Sequence, residues 1–269
     1  QIIVIDNLST GTLKNLRFIR NKIQFIKCDI SKSNKLPKLF YGVDYVFHLA
    51  GLSKATESVK NPHKYYKNNV IGTSNILNLV RNLKLKKFIY SASASCYGNS
   101  KEIPTSETEK IQTLSPYALT KWMSEKEIME QAKIYKFPAI SLRFFNVYGP
   151  RSSDSSSYSG VISTFLRQKK TNKPLTVVGD GFQSRSFIYV SDVVSAMIKA
   201  AKSKIINEIF NVGSAKSIKI NEIVELLKGK KIFIPKRQGD PRHSSSDIRK
   251  IRKQLNWEPK ISIDEGIRI

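Results

Sequence analysis

The chain has 269 residues, of which 46 are lysine or arginine and 21 are aspartate or glutamate, so its formal net charge is +25. A hydrophobic content of 40% supports a buried core and excludes a disordered chain. Two cysteines, Cys28 and Cys96, cannot form a disulfide framework, the three histidines lack ligand spacing, and no apolar run approaches the ~20 residues of a membrane span. We therefore expect a cytoplasmic protein with no metal site and no membrane contact.

The excess positive charge makes nucleic acid the first partner to consider, because a basic surface is typical of nucleic-acid-binding proteins. Here the lysines are scattered along the chain, and no zinc finger or aromatic RNA-binding strand accompanies them. We expect no nucleic-acid partner. A basic nucleic-acid- or partner-binding protein without catalytic activity is the non-enzymatic alternative.

Short apolar runs alternate with longer helical patterns through the first 150 residues. The runs cover residues 2–5, 23–26, 45–47, 88–90 and 139–142, and helices are predicted over 62–81 and 117–135. Continuous apolar strands separated by helices are typical of an α/β fold whose parallel sheet is covered on both faces. In such a sheet, ligands bind beyond the carboxyl ends of the strands.

The pattern changes after Gly149 and Pro150. A serine-rich stretch over 152–159, shorter strands and a turn at 179–181 predict a second, smaller lobe. We therefore divide the chain into a first domain over 1–150 and a lobe over 151–269, some segments of which return to the sheet of the first domain.

Tyr117 and Lys121 form a Tyr-x-x-x-Lys pair after Ser115 and Pro116, which are typical of a helix start. Residues four apart share one face of a helix, so the Lys121 ammonium can lie near the phenol and lower its pKa. Tyr117 is then a candidate general base. From the spacing alone, an exposed helical pair without catalytic function is an equally good interpretation.

A loop with three serines, Ser91, Ser93 and Ser95, follows the apolar run at 88–90. Small hydroxyl side chains at the carboxyl end of a strand can donate to a bound hydroxyl or accept from it. A serine-rich loop without chemistry is the simpler interpretation of this segment by itself. The tyrosine–lysine pair that follows favours a catalytic role for the two together.

This ordered set of motifs resembles the extended short-chain dehydrogenase/reductase family, in particular its NAD-dependent nucleotide-sugar epimerases and dehydratases. The matching segments are 4–11 (VIDNLSTG), 46–51 (VFHLAG), 68–73 (NNVIGT), the serine loop, the helix of the tyrosine–lysine pair, 143–150 (RFFNVYGP) and 179–190 (GDGFQSRSFIYV). The resemblance covers essentially the whole chain. It implies a Rossmann-like, doubly wound parallel sheet with a smaller α/β substrate-binding lobe, NAD as the cofactor and a UDP-sugar as the substrate.

Family members begin with a strand and a glycine-rich turn, which this sequence does not show. Asp6 stands where the family has the acid that accepts from the adenosine ribose, and this acid favours NAD over NADP by repelling a 2′-phosphate. The resemblance therefore implies a further βα unit before Gln1. Without that unit, we expect weak NAD binding and an unpaired strand edge in the sheet.

The resemblance assigns the chemistry to four side chains. Tyr117 would take the proton of the sugar 4-hydroxyl while NAD accepts the C4 hydride, which returns to the other face after the 4-keto sugar turns. Ser95, with Ser93 beside it, would hydrogen-bond this hydroxyl, and Lys121 would hold the nicotinamide ribose. The other cofactor-binding residues would be Asp6, Asn7, Asp29, Ile30, Leu49, Ala50 and Asn69.

For the substrate, the resemblance implies a diphosphate site formed by Asn146, Arg185, Arg237 and Asp240. The small Ser244 would leave room for an N-acetyl group on the sugar. The serine loop has Ala94 and Ser95 where dehydratases have acidic residues, so a general acid for dehydration is missing. The resemblance thus favours a 4-epimerase of UDP-glucose and of its N-acetylated form. A UDP-glucuronate 4-epimerase or another NAD-dependent nucleotide-sugar reductase or dehydratase is the alternative.

Three further expectations concern single residues and assembly. Ser186 follows Arg185 where the family usually has aspartate, so a carboxylate beside this arginine is missing. Cys96 and His48 are expected to be structural. Family members commonly dimerise through two helices, which correspond here to 62–81 and 117–135, so a homodimer is expected.

Overall fold

The computed structural model describes residues 1–32, 40–152, 160–235 and 241–269. Strands and helices alternate in its first half, as the apolar pattern predicts. The strands are β1 (Ile2–Asp6), β2 (Ile23–Lys27), β3 (Tyr45–His48), β4 (Lys87–Ser93) and β5 (Ala139–Phe144). The helices are α1 (Ala55–Lys60), α2 (Pro62–Tyr65), α3 (Gly72–Val80) and α4 (Pro116–Tyr135), and a 3-10 helix at Leu13–Lys22 follows β1.

Four parallel strands form the central sheet in the order β10-β5-β4-β3, in which β10 covers Glu208–Val212. Strand β4 is buried along nearly its whole length because helices cover both of its faces. Ile89 packs with α6 (Val190–Lys202) and α8 (Arg249–Leu255), while Phe88 packs with α3 and α4 on the other face. The predicted doubly wound parallel α/β sheet is confirmed.

Strands β1 and β2 pair with each other in a separate parallel sheet. Strand β3 has no partner on its outer side among the described residues, and its Phe47 side chain is 42% exposed. Within the described ranges, β3 is therefore an edge strand of the central sheet.

The parallel register brings the loops after β3 and β4 to one edge of the sheet. His48 at the end of β3 pairs with Tyr90, and Ser93 at the end of β4 pairs with Phe144 at the end of β5. This is the edge at which parallel α/β sheets bind their ligands.

The smaller lobe is built from short strands around a separate apolar core. Its strand pairs are β6 (Asn146–Tyr148) with β9 (Phe187–Tyr189), β7 (Leu175–Val178) with β12 (Lys231–Ile234), and β8 (Ser184–Arg185) between β11 (Ile218–Lys219) and β13 (His243–Ser244). Its helices are α5 (Val161–Lys170), α7 (Ile220–Leu227) and α9 (Ile263–Arg268). Strand β10 of the second half pairs with β5 of the central sheet, and α6 and α8 pack on that sheet. Most of the serine-rich stretch at 152–159 lies outside the described residues.

The helix predicted over 62–81 is interrupted in the structure. A π-helical turn at Tyr66–Ile71 joins α2 to α3. Such turns re-aim side chains locally and are frequent at functional sites. Asn69 in this turn is buried and bonded to the loop after β3, a tertiary contact that helical periodicity does not reveal.

None of the helices in the described part of the chain is long and apolar enough to cross a membrane. Within the same ranges, no group of three His, Cys, Asp or Glu side chains is arranged to hold a metal ion.

Candidate active site

Helix α4 begins at the ligand-binding edge of the sheet, and its first turn carries Tyr117. Pro116 occupies the first helical position, and the Ser115 side chain accepts a hydrogen bond from the amide of Ala118 at 3.2 Å. The Tyr117 amide donates to the Ser58 hydroxyl of α1 at 3.0 Å. Two of the free amides at the helix start are thus satisfied by serines, which fixes Tyr117 at this position.

The serine loop lies against the Tyr117 side chain. Strand β4 ends at Ser93, and a 3-10 turn at Ala94–Tyr97 follows. The Ser93 hydroxyl accepts from the Ser95 amide at 3.2 Å and lies 2.9 Å from the Ser95 hydroxyl. Both hydroxyls hydrogen-bond the phenol of Tyr117. The structure therefore brings together three of the four side chains that the sequence suggests for catalysis.

Burial raises the pKa of Tyr117 above its ordinary value, and the hydrogen bonds from Ser93 and Ser95 only partly oppose this effect. The expectation that Lys121 lowers this pKa is wrong for the protein without ligands. Helical spacing places the two residues on one face, but it does not reveal the desolvation of the phenol, which dominates.

Lys121 is buried, with only 6% of its surface exposed. Its Nζ lies 4.3 Å from the centre of the Tyr90 ring. Burial lowers the pKa of Lys121 to about 7, and the nearby Glu125 carboxylate opposes this decrease. Among the residues that the structure describes, the ammonium has a cation–π contact but no hydrogen-bond acceptor, which suits it to bind the hydroxyls of a ligand.

His48 at the end of β3 is buried beside this lysine. Its Nε2 lies 2.8 Å from the Thr73 hydroxyl, which donates its hydrogen to the carbonyl of Asn69. His48 must therefore donate through Nε2–H. Burial and the charge of Lys121 lower the pKa of His48 to about 3, so the ring is neutral at neutral pH. This histidine is structural, as expected.

The loop after β3 carries Leu49 and Ala50, and both residues are exposed at the ligand-binding edge. Asn69 fixes this loop, because its side chain accepts from the Leu52 amide at 2.7 Å and donates to the Leu52 carbonyl at 3.1 Å. Its amide also donates to the Thr120 hydroxyl of α4 at 3.0 Å. These contacts occupy the Asn69 side chain, so it holds the loop in place for a ligand and ties it to α4.

Asp6 and Asn7 form the turn at the end of β1. The Asp6 carboxylate accepts from the Leu8 amide at 2.6 Å, and the Asn7 side chain accepts from the Ser9 amide at 2.9 Å. Asp6 is exposed, so the remaining lone pairs of its carboxylate are accessible to ribose hydroxyls.

Asp29 follows β2 and lines a cavity of about 600 Å³ together with Ser31 and Lys67. Burial would raise the pKa of Asp29, but hydrogen bonds from the hydroxyl and amide of Ser31 outweigh it and lower the pKa. Ile30 packs so closely on Gly72 that a Cβ there would lie 2.9 Å from the isoleucine side chain.

The substrate residues that the structure describes lie on neighbouring strands of the smaller lobe. Arg185 in β8 is buried, donates to the carbonyls of Ser184 at 2.8 Å and Arg242 at 3.3 Å, and pairs in register with Ser244 in β13. Asn146 in β6 donates to the carbonyl of Ser186 at 3.2 Å. Arg237 and Asp240 lie outside the described residues.

Ser186 fits its position without a carboxylate. Its hydroxyl donates to the Ser214 carbonyl at 2.7 Å and lies 3.0 Å from the Ser246 hydroxyl. The side chain is fully buried, and an aspartate there would carry its charge into this hydroxyl cluster.

Two further residues of the site, Ser58 and Thr73, contact Tyr117 and His48, respectively, and were not expected from the sequence. No local signal identifies them, because isolated serines and threonines on helices are usually exposed and become informative only once their burial is known.

The residues present fit NAD. The Lys121 ammonium is buried without a hydrogen-bond acceptor among the described side chains and backbone groups, and the exposed Asp6 carboxylate ends a parallel strand as an adenosine-binding acid should. Both groups match the hydroxyl groups of a dinucleotide.

Comparison with known proteins identifies the family. Residues 1–213 match the NAD dependent epimerase/dehydratase family. The chain is 35% identical over 275 residues to a putative UDP-glucose 4-epimerase of Methanocaldococcus jannaschii, and the match covers 99% of this chain and 88% of that protein.

Two solved structures share the fold. One is the UDP-N-acetylglucosamine 4-epimerase of Methanobrevibacter ruminantium in complex with UDP-N-acetylmuramic acid. It matches this chain with a TM-score of 0.94 and 32% identity, and the match covers 99% of this chain and 87% of that chain. The other is the UDP-glucuronic acid 4-epimerase of Bacillus cereus in complex with UDP-glucuronic acid and NAD. It matches with a TM-score of 0.93 and 30% identity, and the match covers 100% of this chain and 88% of that chain. The chain therefore belongs to the NAD-dependent epimerase/dehydratase family, and it is an enzyme whose cofactor is NAD.

Proposed function

We propose that this protein inverts C4 of a UDP-hexose, with UDP-glucose and UDP-N-acetylglucosamine as substrates. The observation that carries the proposal is the contact of the Tyr117 phenol with the Ser93 and Ser95 hydroxyls, on the helix that also buries Lys121. The similarity to a putative UDP-glucose 4-epimerase and to a UDP-N-acetylglucosamine 4-epimerase supports it.

Each of these side chains has a distinct role in the proposed reaction. When bound, NAD supplies the acceptor and donor of the C4 hydride and brings a positive charge into the site. Tyr117 accepts the proton of the sugar 4-hydroxyl and returns it in the second half of the cycle. Ser93 and Ser95 orient the phenol and the sugar hydroxyl, and the Lys121 ammonium binds the cofactor ribose.

The raised pKa of Tyr117 has a consequence for this mechanism. In the ligand-free protein the phenol is protonated at neutral pH, because burial disfavours phenolate. Proton removal from the sugar therefore depends on positive charge that a bound ligand brings into the site, because desolvation is the largest effect on the phenol in the ligand-free protein.

Dehydration is the less favourable reaction for this site. The turn Ala94–Tyr97 carries no carboxyl group that could protonate a leaving hydroxyl. Two serines and a tyrosine can move one proton between oxygens, which is the only proton transfer that epimerisation requires.

We also propose that the two parts of the chain bind different ligands. Residues 1–150 hold NAD through Asp6, Asn7, Asp29, Ile30 and the loop of Leu49 and Ala50. Residues 151–269 mainly hold the sugar nucleotide, with the diphosphate at Arg185 and, in the segment outside the described residues, at Arg237 and Asp240. Asn146, near the end of the first part, completes this diphosphate site. The small side chain of Ser244, in register with Arg185, leaves space for an N-acetyl group.

The test is turnover of three substrates by the NAD-loaded protein. UDP-glucose, UDP-N-acetylglucosamine and UDP-glucuronate are incubated separately, and the products are separated by anion-exchange chromatography and identified by NMR. We expect the galacto epimers of the first two. Turnover of UDP-glucuronate alone would support the alternative substrate suggested by the relative that binds UDP-glucuronic acid, and turnover of none would contradict the proposal.

A further inference from the structure

A network of buried polar side chains connects the serine loop, α4, β5 and β10. It consists of Glu125, Arg143, Tyr97 and Asn211, all less than a tenth exposed, and is called the Arg143 network below. Glu125 also opposes the decrease in the pKa of Lys121, but the proposed reaction uses none of the four side chains.

Glu125 connects the network to the catalytic helix. It lies eight residues after Tyr117 and four after Lys121, so all three share one face of α4. Its carboxylate accepts from Arg143 Nε at 3.0 Å, from Arg143 Nη2 at 2.5 Å and from the Ser141 hydroxyl at 2.8 Å. Ser141 and Arg143 alternate on β5 and thus point to the same side of the sheet. These bonds fix the rotation of α4 about its axis relative to β5.

Tyr97 connects the network to the serine loop. It is the last residue of the turn that carries Ser95, and its hydroxyl accepts from Arg143 Nη1 at 2.9 Å and donates to Asn211 Oδ1 at 2.7 Å. The Arg143 guanidinium carbon lies 4.9 Å from the centre of the Tyr97 ring. Arg143 is thus the common partner of α4 and the serine loop.

Stability alone is a poor reason for such an arrangement. Desolvation of a buried ion pair offsets most of the attraction between its charges, and apolar side chains of similar volume often stabilise a protein as well or better. The planar guanidinium, in contrast, holds its partners in fixed directions.

We propose that the Arg143 network positions the serine loop against α4, so that the Ser95 hydroxyl and the Tyr117 phenol meet in the geometry of the reaction. This inference rests on the proposed function. The four members are positioning residues, because they act on Ser95 and Tyr117 through the turn Ala94–Tyr97 and through α4. Displacement of reacting groups by about 1 Å can lower a rate by roughly 100-fold, so loss of one network bond affects the chemical step.

The test is Tyr97→Phe, which retains the ring and removes the hydroxyl that joins Arg143 to Asn211. The NAD-loaded variant is assayed with the best UDP-sugar substrate of the wild type. We expect kcat to fall about tenfold or more with KM within about twofold, because the substrate-binding residues of the smaller lobe are unchanged.

The matched control is Ser195→Ala. The Ser195 hydroxyl lies beside the core on the other face of the sheet, where it accepts from the buried Trp257 indole at 2.8 Å and donates to the Asp192 carbonyl at 2.8 Å. Like Tyr97→Phe, this variant therefore removes one hydroxyl that makes two hydrogen bonds. We expect a similar decrease in Tm for both variants and an unchanged kcat for Ser195→Ala. This comparison separates a positioning role from a merely structural one.

Three results would overturn the inference: a Tyr97→Phe enzyme with kcat within twofold of the wild type, an equal loss of kcat in the control, or a Tyr97→Phe chain that does not fold. In the last case, the network would serve the fold and not the site. Absence of turnover by the wild-type protein is a separate result, which contradicts the proposed function itself.

Discussion

At the scale of single residues, the site depends on how Tyr117 is surrounded. Two serine hydroxyls hold its phenol, while burial raises its pKa. The same burial lowers the pKa of Lys121 to about 7. Burial thus disfavours both the phenolate of Tyr117 and the ammonium of Lys121. The protonation states of these two side chains therefore respond to any charge that a ligand brings into the site.

Removal of the Tyr117 hydroxyl should abolish most of the activity. Tyr117→Phe retains the packing of the ring but leaves the sugar 4-hydroxyl without a proton acceptor, so we expect kcat to fall by about 100-fold or more. Tyr135→Phe is the control, because Tyr135 lies on the same helix with its side chain 42% exposed. A Tyr117→Phe enzyme with wild-type kcat would show that another group takes the proton.

At the scale of elements, the serine loop depends on the turn that ends it. Gly98 has φ +60°, and a Cβ there would overlap the backbone carbonyl oxygen of Gln112. The Gln112 amide in turn donates to the Cys96 carbonyl at 2.9 Å. The segment of Gln112 therefore packs on the back of the turn that presents Ser93 and Ser95.

Gly98→Ala should therefore destabilise the protein and lower its activity. We expect a loss of about 3 kcal/mol or more in the free energy of unfolding, since steric overlap adds to the cost of a positive φ. The control is Gly42→Ala, because Gly42 also has a positive φ, +74°, but no atom lies within 4 Å of an added Cβ. Its loss should be about 1 kcal/mol, with unchanged kcat. Urea denaturation measures the free energy of unfolding of the two variants. Equal losses in this free energy would show that the overlap with Gln112 does not destabilise the protein.

The sequence predicted the elements well where local rules decide them. The strand runs and the start of α4 follow from short apolar stretches and from a serine cap with proline, and the structure has both. The π turn around Asn69 could not be predicted, because it depends on the pairing of that side chain with Leu52 and Thr120, which are distant in sequence. The direction of the Tyr117 pKa was wrong for a related reason, since spacing gives neighbours but not burial. The Arg143 network could not be predicted from the sequence, because its members lie on four different elements.

At the scale of the whole molecule, His48 makes stability depend on pH. Its pKa is about 3 in the folded protein and about 6.5 when exposed, so between these values the unfolded chain binds a proton that the folded chain excludes. This contribution to stability is complete above about pH 6.5 and is lost as the pH falls toward 3.

His48→Gln should remove this dependence, because the glutamine amide can still donate to Thr73 but cannot be protonated. We expect the wild type to lose stability more steeply than the variant between pH 6.5 and 3.5, by up to about 1.4 kcal/mol per pH unit. Urea denaturation at several pH values provides the comparison. Parallel curves would mean that His48 is not held neutral by the fold. Carboxylates that also titrate in this range are common to both proteins and cancel in the difference.

We propose that the molecule assembles as a homodimer through α4 and the helical segment of residues 62–80. Apolar side chains project from these helices into solvent: Leu119, Ile134 and Ile71 are 41%, 68% and 38% exposed. These helices pack against each other, and exposed apolar side chains on neighbouring helices suit an interface between two copies.

Ile134→Glu should therefore give a monomer, since a buried unpaired charge would oppose association. Light scattering after size-exclusion chromatography measures the mass. Ile206→Glu is the control, because Ile206 is 56% exposed but lies in the loop after α6. Identical masses for the wild type and both variants would contradict this interface.

The most direct test of the proposed function uses UDP-glucose with deuterium at C4 and the NAD-loaded protein, followed by NMR. Epimerisation through transfer and return at C4 predicts UDP-galactose that retains the deuterium at C4, with no such product from Tyr117→Phe. Absence of UDP-galactose, or a product that has exchanged this deuterium with water, would contradict a C4 epimerisation in which Tyr117 handles only the hydroxyl proton.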